Sequence, residues 1–282
     1  MKPAARLPWR LILLVRYRLG DKVMKDEPDF AYFLIFSHPR STKAFRCAFL
    51  IPAFVAILLL SCSPMAGIGP IGLQPVFPDE ARCPELASPF GSQTRYDGSP
   101  RPSWAPGGGS HGGIDITLAE GTPLLALAAG TVVKKGEGGQ MLGIYLWLRH
   151  SPENTGLPYW VYSKYQHLQS LPELAVGAKV VVGEVIARSG KTGTVGGHFG
   201  YYGYPHLHLT TRKSPTGEFQ GSHLTDPLVI YHEASPKPKE SVDPPPRENA
   251  VTIPYVTIDG QAWPQGTRVV WPVACRRRQA TY

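Results

Sequence analysis

The sequence predicts an all-β domain, and three observations carry that expectation. Glycine and proline are frequent, at 30 and 29 of 282 residues, and their spread along the chain favours many turns and short strands over long helices. Short β-branched or aromatic runs recur between those turn residues, at Gly113 to Thr117, Thr131 to Lys134, Leu142 to Arg149, Trp160 to Leu168, Lys179 to Val182 and Leu207 to Arg212. A hydrophobic content of 43% with 18% charged residues suits a chain that buries a core.

At the N-terminus, Arg40, Lys43 and Arg46 precede the apolar run Ala48 to Leu60, which ends in Ser61-Cys62. A charged stretch, an apolar stretch and a small residue in that order read as an export signal. The run is short for a bilayer span and holds Pro52, so residues 1–62 are expected to direct export rather than to remain as a transmembrane helix. Its end resembles a bacterial lipoprotein box, with Cys62 lipidated and the membrane as partner, although Leu60 is bulkier than the residue usual at that place. Met24 offers an internal start that would set residues 1–23 aside. Charge supports the division. The first 62 residues hold 10 of the 29 Lys and Arg and 4 of the 21 Asp and Glu, which leaves 19 against 17 and no basis for a nucleic-acid partner.

Residues 63–85 are rich in proline and glycine and lack sustained periodicity, so they read as a flexible spacer. Of four cysteines, Cys47 lies in the signal and Cys62 at the lipidation position, which leaves Cys83 and Cys275 as an expected disulfide; two free or intermolecular thiols are the alternative.

Within the β domain, Tyr204-Pro205-His206-Leu207-His208-Leu209 holds the chemistry. On a strand, alternate side chains share a face, so His206 and His208 point one way and Leu207 and Leu209 the other. Upstream, His111-Gly112-Gly113-Ile114-Asp115 offers a nitrogen and an oxygen ligand from one short segment. One histidine of the later pair completes three protein ligands and leaves a fourth position for water, the pattern of a catalytic zinc site. Strand alternation alone does not decide between His206 and His208. Tyr165-Gln166-His167-Leu168 adds a histidine suited to moving protons. Two longer intervals, Ser151 to Pro158 and Ser189 to Gly203, are candidates for groove walls.

In order, the blocks His111 to Asp115, Gly121 to Val133, Tyr165 to Leu168, Val176 to Ile186, Gly190 to Gly193 and Pro205 to His208 resemble the lysostaphin-like zinc metallopeptidases of bacterial cell walls, over roughly residues 86 to 230. The resemblance implies a two-sheet antiparallel β-sandwich/barrel hybrid with zinc at the floor of a groove. It also implies His111, Asp115 and His208 as zinc ligands, His167 and His206 beside the bound water, and peptidoglycan peptides as substrate. The approach Gly196 to Tyr204 is longer and more aromatic than is usual in that family, which leaves substrate preference open. Elsewhere His150 reads as a packing or turn residue, Glu184 as structural, and His198, Tyr201, Tyr202 and Tyr204 as loop residues.

Residues 86–232 are thus expected to form the metallopeptidase domain, followed by a proline-rich linker at 233–250 and a short extension at 251–282, in which Val251 to Ile258 and Arg268 to Pro272 would form a hairpin. The sequence reads as an exported, periplasmic, lipid-anchored zinc endopeptidase. Its rivals are a non-cleaving regulator of another wall hydrolase with the same fold, and a structural wall-binding lipoprotein.

Overall fold

A computed structural model of the protein describes residues 72–95, 97–103, 108–194, 204–235 and 249–277. The N-terminal signal, the lipid position at Cys62 and the spacer before residue 72 lie outside these residues. In chain order the strands are β1 Gln74–Val76, β2 Ala81–Arg82, β3 Leu86–Ser88, β4 Ile114–Thr117, β5 Pro123–Leu125, β6 Gly130–Glu137, β7 Ile144–His150, β8 Trp160–Gln166, β9 Lys179–Val180, β10 Val185–Arg188, β11 His206–Ser214, β12 His223–Thr225, β13 Ala250–Thr252, β14 Tyr255–Val256, β15 Ala262–Trp263 and β16 Arg276–Arg277. Helix among the described residues is Pro227–Ala234 and two four-residue segments, Gly139–Leu142 and Pro152–Thr155. None is long and apolar enough to cross a membrane.

An eight-stranded antiparallel sheet in the order β3-β4-β11-β8-β7-β6-β9, with β12 paired to β11, forms the body of the fold. Four two-stranded sheets surround it, among them the antiparallel pair β5–β10. The mostly β, antiparallel architecture read from the sequence is therefore the one adopted.

Register decides which residues share a face. His208 on β11 lies opposite Asp115 on β4 and Gln166 on β8, and Gln166 lies opposite Tyr145 on β7. Two further rungs on that face are Thr210–Lys164–Trp147 and Arg212–Tyr162–Arg149. The alternate residues Ile114, Ile116, Leu146, Leu148, Val161, Tyr165, Leu207 and Leu209 stand on the other face and are buried. Each such aliphatic side chain removed from water stabilises the fold by about 1.5–3 kcal/mol. Over this face pack Leu124 and Leu127, the helix residues Leu228, Ile230 and Tyr231, and Trp271. The buried Tyr165 hydroxyl is satisfied twice, donating to the Leu125 carbonyl at 3.0 Å and accepting from the Leu127 N–H at 2.9 Å.

The described part of the expected spacer, residues 72–85, is bound into the fold instead. β1 pairs in parallel with β13, β2 pairs with β16, and Cys83 is disulfide-bonded to Cys275, 192 residues away. The Phe77 ring meets Trp271 edge-on with centroids 5.4 Å apart. Strands of two or three residues show no alternation, so neither partner was legible in the sequence. At the other end, Val251, Ile253, Tyr255, Val269, Trp271, Val273 and Cys275 join the main core, so the extension is part of the packed unit. The expected hairpin is replaced: β14 pairs with β15, the nearer partner across a short turn. The stretch after β15 lies against β5, with the Val270 N–H donating to the Leu127 carbonyl and the Leu125 N–H to the Pro272 carbonyl, both at 2.8 Å.

His150 packs, as expected. Its Nδ1 donates to the Ala129 carbonyl at 2.8 Å, and its Nε2 accepts from the Ser163 hydroxyl at 2.8 Å. Burial pushes the imidazole down to about 4. The unfolded chain therefore protonates first as pH falls. The contribution of neutral His150 is complete above pH ~6.5 and is lost progressively towards pH ~4, about 3 kcal/mol in all. Denaturant titrations between pH 7 and 4 are expected to show this loss, with a flatter profile for His150→Gln.

Candidate metal centre

The short segment His111 to Asp115 is set by glycine. A Cβ on Gly113 would lie 2.4 Å from the Leu209 carbonyl oxygen and 2.8 Å from His208 Nε2, so only glycine lets β4 run this close to β11. His111, just before the strand, is held by backbone bonds to residues 91 and 92. Asp115 follows on β4, opposite His208.

Three atoms that could hold a metal ion converge here. His111 Nε2 lies 3.0 Å from Asp115 Oδ1 and 3.0 Å from His208 Nδ1, and His208 Nδ1 lies 2.8 Å from the same Oδ1. All three residues are buried or nearly so. His111 Nδ1 is 2.9 Å from the Pro89 carbonyl, which can only accept, so Nδ1 carries the hydrogen and Nε2 presents a lone pair. A lone pair facing a carboxylate oxygen at this distance is repulsive unless a proton or cation stands between them. Donors about 2.0–2.1 Å from a tetrahedral zinc ion are separated by roughly 3.3 Å, so outward shifts of a few tenths of an ångström would seat one. Two imidazoles and a carboxylate are a donor set suited to zinc, and the residues fit such an ion.

Neighbours orient these ligands. The Thr210 hydroxyl, on the same face of β11, is 3.1 Å from His208 Nε2. Arg101 Nη2 donates to the Ser88 hydroxyl at 2.9 Å and pairs with the second carboxylate oxygen, Asp115 Oδ2, at 3.5 Å. That pairing leaves Oδ1 to face the histidines. Burial would raise the Asp115 carboxyl, but the charges and hydrogen bonds of His111 and His208 outweigh it and hold it well below the ordinary carboxylate range. Burial pushes His208 down to about 4 against the pull of Asp115. At neutral pH neither Asp115 nor His208 has to give up a proton before a cation binds.

His206 and His167 complete the cluster. His206 Nδ1 bonds the Tyr204 carbonyl at 3.0 Å, leaving Nε2 at 3.8 Å from Asp115 Oδ1. Its ring stacks on Tyr204, centroids 4.3 Å apart. Alternation along β8 would send His167 to the face opposite Gln166. The strand ends at Gln166, however, and His167 takes φ 63°, a left-handed conformation rare for a residue with a Cβ. That turn brings its ring to 4.5 Å from His206 and 6.0 Å from His208, centroid to centroid. His167 Nδ1 bonds the Thr192 carbonyl at 2.7 Å, so its Nε2 is the basic atom. Burial, and then the charges of His206 and His208, push it down to about 3.

The five residues singled out from the sequence, His111, Asp115, His167, His206 and His208, therefore lie together. Of the two intervals read as groove walls, residues 189–194 border the site through Thr192 and the Gly190–His206 bridge. Residues 151–158 instead meet the C-terminal stretch, where Arg268 donates to the Glu153 carbonyl. His198, Tyr201 and Tyr202 lie outside the described residues. Glu184 is structural, its carboxylate accepting from the Val181 N–H at 2.8 Å. Sequence reading missed Ser88, Arg101 and Thr210. Thr210 was findable from alternation past His208, whereas Ser88 and Arg101 reach the site from loop and edge-strand positions that carry no motif.

Fold and site together define a mostly β protein with a buried two-histidine, one-aspartate cluster able to hold a metal ion on one sheet face. Residues 109–224 match the model of peptidase family M23, and this segment is similar to lysostaphin-like M23 peptidases. It is 31% identical over 157 residues to lysostaphin of Staphylococcus simulans, covering 54% of this chain and 27% of that protein. It is 32% identical over 132 residues to the glycyl-glycine endopeptidase ALE-1 of Staphylococcus capitis, covering 45% of this chain and 30% of that protein. The chain thus spans less than a third of either relative. Among solved structures, the catalytic domain of lysostaphin from Staphylococcus simulans is 28% identical, with a TM-score of 0.38 and coverage of 52% of this chain and 91% of that domain.

Proposed function

We propose that the protein is a zinc-dependent endopeptidase that hydrolyses peptide cross-links of bacterial peptidoglycan. The observation that carries this reading is the convergence of His111 Nε2, His208 Nδ1 and Asp115 Oδ1 within 2.8–3.0 Å, in a segment that matches a peptidase family. Those three atoms would hold zinc, which when bound supplies a Lewis acid that activates water for attack on an amide. The neutral Nε2 atoms of His206 and His167 would take a proton from the attacking water, steady negative charge on the reacting carbonyl, and return a proton to the departing amine. Both rings are held for this by backbone carbonyls, of Tyr204 and Thr192 respectively. Residues 1–62 would direct export to the cell envelope, with Cys62 as a lipid anchor in the periplasm.

The test is digestion of purified peptidoglycan by the purified protein, with and without a zinc chelator. New amino groups are counted and their parent peptides identified by mass spectrometry. Chelator-sensitive release is the expected result. A protein that binds zinc yet releases nothing from several wall types would instead be a non-cleaving regulator.

A further inference from the structure

Beside the metal centre, on the same sheet face, the rung Thr210–Lys164–Trp147 continues to Lys134 on β6. Lys164 is half-buried, its ammonium 5.1 Å from the centroid of the Trp147 ring, and among the described residues that ammonium makes no hydrogen bond or ion pair. The charges that act on it are both positive. Burial, then Arg212 and Lys134, push the ammonium down to about 8. Arg212 is already engaged, donating to the Ser222 hydroxyl at 2.7 Å and the Ser222 carbonyl at 2.6 Å and lying over the Phe219 ring.

No Asp or Glu stands on this rung or on the next, Arg212–Tyr162–Arg149. The acidic residue whose charge reaches Tyr162 is Glu218, on an exposed loop, and it pairs with none of the three cations. Thr210, the neighbour of Lys164 across the rung, is the residue whose hydroxyl meets His208. Alternate residues on a strand are about 7 Å apart, so the rung of Lys164 lies roughly that far along the sheet from the ligand rung. The rings of Trp147 and Phe219, edge to face at 5.3 Å, close the subsite on one side.

We propose that Lys164 forms an anion subsite next to the metal centre that takes a free carboxylate of the peptide, about two residues or fewer from the scissile amide. This rests on the endopeptidase reading and narrows its substrate class. The protein would prefer cross-links flanked by a carboxylate over the neutral glycyl-glycine type named for one of its relatives.

Two cross-linked muropeptide dimers would be compared, identical except that the carboxyl beside the cross-link is free in one and a carboxamide in the other. Binding is measured by calorimetry on chelator-treated protein, and cleavage on the metal-loaded protein. The wild type is expected to bind the free acid at least about tenfold more tightly than the amide at low salt, with the gap narrowing as salt is raised. Lys164→Gln is expected to bind both alike while retaining its metal content. A wild type that binds the two equally overturns the subsite, and so does a preference that persists in Lys164→Gln. The salt dependence of the wild-type preference decides the matter if the variant fails to fold. A Lys164-dependent binding preference without cleavage of either dimer would sink the endopeptidase reading alone. Cleavage of both dimers with equal binding would sink the subsite alone.

Discussion

Replacing His208 with alanine is expected to strip the purified protein of nearly all bound zinc and to reduce cleavage to background, a fall of at least about 10³-fold. The side chain supplies the nitrogen closest to Asp115, at 2.8 Å, and its loss leaves two donors where the site has three. Even neighbours that merely orient a ligand cost about 10–100-fold in metal affinity when removed, and losing a ligand exceeds that. His206→Ala is the informative contrast. Its Nε2 stands 3.8 Å from Asp115 Oδ1 and outside the close triangle, so this variant should keep its zinc and lose turnover. Elemental analysis and chelator competition read the first property, and timed digestion of peptidoglycan the second. Unchanged zinc in His208→Ala, with loss in His206→Ala, would reverse the assignment of the two histidines.

The second large effect is expected from the disulfide. Reducing the Cys83–Cys275 bond, or replacing both residues with serine, should lower stability by about 2–4 kcal/mol, because the bond closes a long loop in the unfolded chain. For a packed unit of this size that corresponds to a fall of roughly 5–15 °C in Tm. The strands it joins, β2 and β16, are two residues each and could not hold the ends of the fold with their own hydrogen bonds. Trp271 and Phe77 would lose their restraint with it, whereas the metal triangle, built on β4 and β11, should keep its zinc stoichiometry. Thermal melts with and without reductant measure the first effect; a Tm that does not move would mean the bond adds nothing.

Much of the site was legible because strand alternation is a strong rule. His206 and His208 were assigned to one face and Leu207 and Leu209 to the other, and the register with β4 and β8 has them so. His111 and Asp115 were legible because both come from one segment whose glycines mark a tight approach. His167 defeated the same rule, since a single left-handed residue turned its ring back to the site. The lashing of residues 72–85 to 250–277 was hidden for another reason: its strands are too short for any period, and only the cysteines signalled the partnership. Arg101 was hidden because an ion pair between a loop and a strand leaves no spacing to read.

The acceptors that fix His111, His167 and His206 are all main-chain oxygens, of Pro89, Thr192 and Tyr204. No side-chain replacement at those three positions deletes the acceptor itself. The choice of tautomer is written into the path of the backbone, so it is buffered against point mutation and vulnerable chiefly to insertions or deletions that shift the loops. The side chains at two of those positions still support that path, since the Thr192 hydroxyl ties its loop to Ile144 and Leu168 and the Tyr204 ring stacks on His206, so a redesigned site keeps its basic nitrogens aimed only where those supports are kept.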